Sequence, residues 1–499
     1  MKAMVRIGWP LLALLCGCIF DPSGLAPTGP SSDASADVTG VDHSFDPDAS
    51  PLDGPRLELA ADAPPIDTGS PELAFDTVGT DLVVPDVSKS DVVKPDVFKP
   101  DLFKPDAPKP DTFICVPTDC PLGCHSSLTR CNRLQPSNYD AKPLWALATA
   151  NLFLNGTTEI VINSNGLITG RRSSGGPGTA PGGIYWNQVT QADGSPLAVF
   201  AVNQFVVAAG TPVRLAGTTP IAIYVRDTAE IGDLINAGAD MGSPGPGGRV
   251  PGAKNGQSGA VCAKGEGVGG GTKDDHQSGG GGAGRGQAGA KGGDADTLLG
   301  GMGGLGLVAV PTALAGGCGG GAGGGPDPYG NGGNGGDGGS GGAGGGALQL
   351  SAGTIITIAI NVGITAGGGG GAGGHYGAGG GGGGSGGTII LESPTVTVSG
   401  LVAVNGGGGG AGGVDWPVPS ADNGKNGKLE TTRAPGGVAQ GSGGEGGMGG
   451  AVLLPTAGQS VYYNGGGGGG GGGGIRVVAY TAAVNASPTY KPSNQLNVW

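Results

Sequence analysis

Ten glycines in succession, Gly465–Gly474, and the shorter blocks like them restrict this chain more than any other feature. Glycine has no Cβ to bury and loses more backbone freedom on folding than any other residue. With 116 glycines among 499 residues, a conventional thick core is not available to much of the chain. Some blocks keep an internal order. Asn331–Gly346 reads NGGNGGDGGSGGAGGG, with glycine at two positions of every three. Three residues per turn is the period of polyproline-II-like helices. Such helices can lie side by side, joined by backbone hydrogen bonds, at a separation only glycine permits. The same composition also suits a flexible linker. Both readings stand, and in Gly465–Gly474 no period can be read at all.

Strand patterns fall between the blocks. Asn151–Thr169 alternates apolar and polar residues, with a turn signal at Asn155-Gly156 that suggests a hairpin. Ile221, Ile223, Val225, Asp227, Ala229, Ile231, Asp233, Ile235 and Ala237 share one parity. So do Ile356, Ile358, Ile360, Val362, Ile364 and Ala366, and then Val396, Val398, Gly400, Val402 and Val404. AVLLP from Ala451 and IRVVAY from Ile475 form a weaker pair. Repeated strands that bury one face only when stacked on a neighbour are the mark of repeat architectures. The expected fold is therefore all-β: a parallel β-solenoid or β-helix-like head, with the glycine blocks as loops leaving at one point of each repeat. The alternative is a β-sandwich with glycine-rich insertions.

The N-terminus reads differently. MKAMVRIGWPLLALLCGC combines positive Lys2 and Arg6 with a short apolar stretch and a small Gly17 before Cys18. Leu15-Cys16-Gly17-Cys18 resembles the lipobox of bacterial lipoproteins. That resemblance implies cleavage before Cys18, a diacylglycerol on its sulfur, and the lipid bilayer as a partner. With Ile19 rather than an acidic residue next, it also implies an outer-membrane or cell-surface address. The domains expected are a signal peptide (1–17), a disordered Asp/Pro-rich stalk (18–113), a small disulfide-rich module (114–135) and the head (136–499). In the stalk, Asp81, Asp86, Asp91, Asp96, Asp101, Asp106 and Asp111 recur every five residues, with prolines that favour a stiff, extended chain.

Cys115, Cys120, Cys124 and Cys131 cluster in CVPTDCPLGCHSSLTRC and allow three disulfide connectivities. Disulfides suit an oxidising compartment, and zinc with His125 is the rival. Cys262 and Cys318 are left to pair with each other. The lipobox, the Asp/Pro stalk, the Cys cluster and the alternation of GG(S/A)GG with TIILESPTVTVSG together resemble glycine-rich bacterial surface lipoproteins and the Gly-Gly-Xaa repeats of PGRS-type proteins. This likeness brings no catalytic residue with it.

The remaining chemistry is sparse. GGDADTLLGG resembles one nonapeptide of a calcium-binding β-roll, which makes Asp294, Asp296 and, in a second partial match, Asp337 weak calcium candidates. Asp274-Asp275-His276 offers carboxylates beside an imidazole, but neighbours on a strand point to opposite faces and a solvated loop is the plainer reading. Tyr185, Trp186, Tyr376, Trp416, Tyr462 and Tyr463 are expected to staple loops or stack on sugars. A net charge of -13 without a basic stripe excludes nucleic acid as the expected partner. The chain thus reads as a lipid-anchored envelope protein, structural or adhesive and not an enzyme, with no cofactor and with glycans or other surface proteins as partners. A polysaccharide lyase or hydrolase on a β-helix is the alternative, and an ice-binding face with Thr395 and Thr397 is a third.

Overall fold

A computed structural model describes residues 115–116, 120, 122–127, 129–168, 178–179, 184–273, 276–307, 313–325, 336–414, 421–487, 490–493 and 497–498. All of them belong to one compact unit, Phe103–Trp499. The signal segment, Cys18 and the stalk lie outside the described residues, as do Asp274, Asp275 and Trp416.

The regular secondary structure of the described chain is nearly all strand. It begins with β1 (Leu134–Gln135), a single helical turn α1 (Lys142–Trp145), β2 (Leu152–Leu154) and β3 (Ile160–Asn163), followed by β4 (Gly178–Thr179) and β5 (Tyr185–Thr190). Strands then recur in triplets. The first is β6 (Pro196–Val202), β7 (Phe205–Val207) and β8 (Val213–Ala216), and the second is β9 (Ile221–Val225), β10 (Thr228–Ile231) and β11 (Ile235–Asn236). After a glycine block that contains the short pair β12 (Thr272–Lys273) and β13 (His276–Gln277), a third follows: β14 (Ala347–Ala352), β15 (Ile355–Ile358) and β16 (Gly363–Thr365). In the fourth, β17 (Thr388–Glu392) precedes one long strand, β18 (Thr395–Ala403). The series closes with β19 (Gly474–Val478), β20 (Thr481–Ser487), β21 (Tyr490–Ser493) and β22 (Asn497–Val498).

Each triplet lies in register on the one before it. β6, β9, β14, β17, β19 and β21 pair in parallel in an eight-stranded sheet, which β5 and β4 extend with antiparallel pairing. The ten-stranded sheet holds two parallel ladders, β2-β7-β10-β15 and β3-β8-β11-β16, bridged by β18, with β20 on its far side. Neither sheet closes into a barrel. β2 and β3 do not form the hairpin that Asn155-Gly156 suggests; each adds in parallel to a different ladder, on β7 and on β8. The Thr211 hydroxyl fixes the corner instead, accepting from the Gly156 N–H at 2.9 Å and donating to its carbonyl at 2.8 Å.

The parity runs account for the core. Ile221, Ile223, Val225, Ala229, Ile231, Ile235 and Ala237 are all buried between the sheets, and Ile356, Ile358, Ile364, Ala366, Val396, Val398, Val402 and Val404 continue the same packing. Asp227 and Asp233 keep the parity but sit at corners, and Ile360 is exposed. The opposite parity of the eight-stranded sheet is buried too. Leu197, Val199, Ala222, Tyr224 and Ile390 pack under Tyr139, Ala141, Leu144 and Ala148 of the segment around α1. AVLLP is not a strand, and Val452, Leu453 and Leu454 are exposed.

Two buried phenols, Tyr139 in that segment and Tyr224 beneath it, make stability depend on pH. Burial, and then the Glu392 carboxylate, raises Tyr139 well above the usual tyrosine range. Burial raises Tyr224 as well, against the opposing pull of Arg133 and Arg226. Both groups stay neutral in the folded chain while the unfolded chain ionises from about pH 10. Their contribution is therefore intact below pH 10 and is lost as pH rises beyond it, by up to about 1.4 kcal/mol per pH unit for each tyrosine. Urea midpoints at pH 8 and pH 11 should differ less in Tyr224→Phe than in the parent chain; an equal difference would show that Tyr224 ionises freely when folded.

Candidate functional site

The long glycine blocks leave and re-enter the sheets at one place. Residues 237–346 connect β11 to β14, residues 366–387 connect β16 to β17, and residues 404–473 connect β18 to β19. Their described glycine-rich segments are hydrogen-bonded to one another with a period of three. In the segment 378–387, Gly379, Gly382 and Ser385 donate to Gly324, Gly321 and Cys318, at 2.8 to 3.0 Å. Gly380, Gly383 and Gly386 donate to Gly465, Gly468 and Gly471, and Gly381, Gly384 and Gly387 donate to Ala372, Gly369 and Ala366. Three further segments donate to it, through Gly280 and Ala283, through Gly339, Gly342 and Gly345, and through Gly407, Gly410 and Gly413. One helix of three residues per turn thus has six hydrogen-bonded neighbours. Gly465–Gly474, whose period is illegible in sequence, bonds in the same way: Gly465, Gly468 and Gly471 reach Gln277, Gly280 and Ala283. Of the two readings of these blocks, ordered packing is the one the chain adopts.

Arg285 ties this bundle to the sheet. Buried, it donates to the Ala315 carbonyl at 3.0 Å and to the Thr388 hydroxyl at the start of β17 at 3.4 Å. Burial, and then Arg249, pulls its guanidinium down to about 10. The Cys262–Cys318 disulfide staples a more exposed segment to a buried one, as the leftover pair in the sequence leads one to expect. In the small module the bridges are Cys115–Cys124 and Cys120–Cys131. His125 bonds Ser127 and Arg130 there. Arg133, which follows this module, stands 4.0 Å over the Trp145 ring, with Arg226 5.6 Å away on the same ring.

At the bundle edge the glycine period exposes side chains in a row. Leu299, Met302 and Leu305 are three residues apart and 70%, 69% and 59% exposed, and the Val268 N–H donates to the Met302 carbonyl from the next segment. The spacing in LLGGMGGLG is the signal that could have found this ridge in the sequence.

The other candidate residues are spread along the rim. Burial pushes the Asp294 carboxyl up, but hydrogen bonds from Lys291, at 2.6 Å, and from the Gly300 N–H outweigh it and hold it below the usual carboxylate range. Asp296 sits in the same turn, with a positive φ of 49°. Asp337 instead bonds Lys254 and Asn255. Among the described residues, the group of three metal-ligand types converging within 4.8 Å is Cys115, Cys120 and Cys131, all held in disulfides. His276 donates from Nδ1 to the Tyr462 carbonyl at 2.8 Å and stacks on Tyr463, with ring centroids 5.7 Å apart, so these aromatics staple β13 to the segment before Gly465. Trp186 is buried in β5. Thr357 and Thr397 are cross-strand partners, but their ladder continues to Glu230 on one side and Ala483 on the other.

No helix among the described residues is long and apolar enough to cross a membrane. Comparison with protein-family models, with curated proteins and with solved structures finds no match to this chain.

Proposed function

We propose that this is a lipid-anchored protein of the bacterial envelope, at the outer membrane or cell surface, whose role is adhesive or structural rather than catalytic. Its head is a parallel β-solenoid in which each strand triplet is one turn. The in-register parallel pairing of successive triplets supports that reading over a sandwich, whose sheets are antiparallel. Three disulfides support an oxidising compartment. The observation that carries the adhesive role is the ridge of Leu299, Met302 and Leu305. Apolar side chains held out to solvent on a hydrogen-bonded framework mark an interaction surface.

Whole cells test this. Cys18→Ala should abolish palmitate labelling and release the protein from the membrane fraction. The triple variant Leu299→Ser, Met302→Ser, Leu305→Ser should keep both and lose most attachment to glycan-coated and apolar surfaces. Labelling that survives in Cys18→Ala would remove the anchor from this reading. Unchanged attachment in the triple variant would take the adhesive role from the ridge, and depolymerisation of a polysaccharide by the wild-type chain would overturn the non-catalytic reading.

A further inference from the structure

We propose that a cleft on the outer face of the ten-stranded sheet binds an uncharged saccharide. The adhesive reading above supplies its purpose, and the geometry supplies its chemistry. β8, β11 and β16 run side by side, and the register places Arg214 opposite Asn236 and Asn236 opposite Thr365. Their neighbours Val213, Ile235 and Ile364 point into the core. Alternation therefore turns the three polar residues outward in one row, spaced by the roughly 4.8 Å between strands.

A segment of the third glycine block, 426–430, arches over this row. It is fixed at both ends. The Asn426 side-chain oxygen accepts from the Met241 and Gly370 N–H groups at 3.0 and 2.9 Å, and its Nδ2 donates to Asp240 at 2.9 Å. Asn405 Nδ2 donates to the carbonyls of Lys428 and Glu430 at 3.1 and 2.6 Å. Between row and arch lies a cleft of about 720 Å³, lined also by Asp240, Lys428 and Glu430. That size suits a small ligand.

Two observations define what would enter. Thr365, only 4% exposed, is among the residues that line the cleft, and its hydroxyl is buried without a hydrogen-bond partner. Buried polar groups ordinarily have one, and a turn about the Thr365 Cα–Cβ bond that brings the hydroxyl into the cleft lets a ligand there supply it. The charged groups are of both signs, Arg214 and Lys428 against Asp240 and Glu430. An anion would meet two carboxylates and a cation two bases. Arg214 is paired with Glu159 at 3.0 Å and Asp240 with Asn426, and a neutral polyol, whose hydroxyls both donate and accept, can add to such groups of either sign without breaking those pairs.

Isothermal titration calorimetry on the full-length chain in detergent tests the inference. The probes are neutral hexasaccharides of glucose, mannose, galactose and N-acetylglucosamine, with hexagalacturonate and hexaglucosamine as charged counterparts. At least one neutral oligomer should bind one to one, and both charged oligomers at least tenfold more weakly. Thr365→Val, and separately the exposed pair Lys428→Ala and Glu430→Ala, should each weaken the neutral ligand about tenfold. The exposed pair keeps the test open should the buried variant fail to fold. No binding by any neutral oligomer, equal binding of a charged one, or binding indifferent to both variants would overturn the proposal. A cleft that fails here leaves the whole-cell attachment result standing; a cleft that binds in a chain whose ridge variant still attaches sinks the adhesive role of the ridge alone.

Discussion

Gly382→Ala should unfold at a distinctly lower temperature than the parent chain. Gly382 lies in the segment with six hydrogen-bonded neighbours and donates to Gly321 at 2.8 Å. A Cβ there would fall on the carbonyl oxygen of Gly281, which is backbone and cannot swing away. The lattice must open, at a cost of about 1–3 kcal/mol, as for other overpacked interiors. Gly467→Ala, whose Cβ would meet the Gly381 carbonyl, should behave alike. The contrast is Gly242→Ala. Nothing lies within 4 Å of a Cβ at that position, so the substitution should leave stability unchanged or raise it by about 0.4–1 kcal/mol through the unfolded chain. Scanning calorimetry separates the two classes, and equal melting of Gly382→Ala and Gly242→Ala would mean that the bundle is not close-packed in solution.

Glu392→Ala should cost more than any other single polar substitution under the α1 segment. Glu392 ends β17 and is 2% exposed. Its carboxylate accepts from Gln349 Nε2 at 2.7 Å, from the Ser351 hydroxyl at 2.9 Å and from the Ser137 N–H at 3.2 and 3.3 Å. Gln349 in turn accepts from Asn138 at 2.8 Å, so the network joins the chain before α1 to two strands of the sheet. Alanine leaves these donors buried without an acceptor, at about 1–3 kcal/mol for each group that finds no substitute. A total loss of about 3–5 kcal/mol is expected, with Glu392→Gln, which keeps one acceptor, losing less than half of it. Denaturant midpoints decide this, and a loss below about 1 kcal/mol would show that water replaces the carboxylate.

What could be read in the sequence is what side chains record. Ile221 to Ala237 announces its buried face because alternate residues must be apolar for two sheets to pack. The corners at 226–227 and 232–234 keep the inward positions an even number of residues apart, so the run reads as one pattern although it bends twice. Ala222 and Tyr224 mislead for the same reason: a second cover packs on a face that alternation alone marks as the outer one. Asn155-Gly156 carries the local chemistry of a hairpin, yet the long-range pairing of β2 with β7 and β3 with β8 prevails. The glycine bundle is nearly silent in sequence because its contacts are made by backbone groups that every residue has. Its period shows only where a non-glycine residue marks each turn, as Asp337, Ser340 and Ala343 do. The row of Arg214, Asn236 and Thr365 is hidden differently, since blocks of unequal length separate the three strands and no local pattern carries their register.

The bundle gives this protein two different appearances in solution. Its helices have no internal hydrogen bonds, and their ellipticity is that of extended or unfolded chain. Yet an amide such as that of Gly383, paired with Gly468 inside the lattice, is as shut away from solvent as one in a central strand. Circular dichroism would count much of the chain as unordered, while deuterium exchange would count the same residues among the slowest. For a molecule built this way, optical measures of secondary structure report how little of it is helix or sheet, and not how much of it is folded.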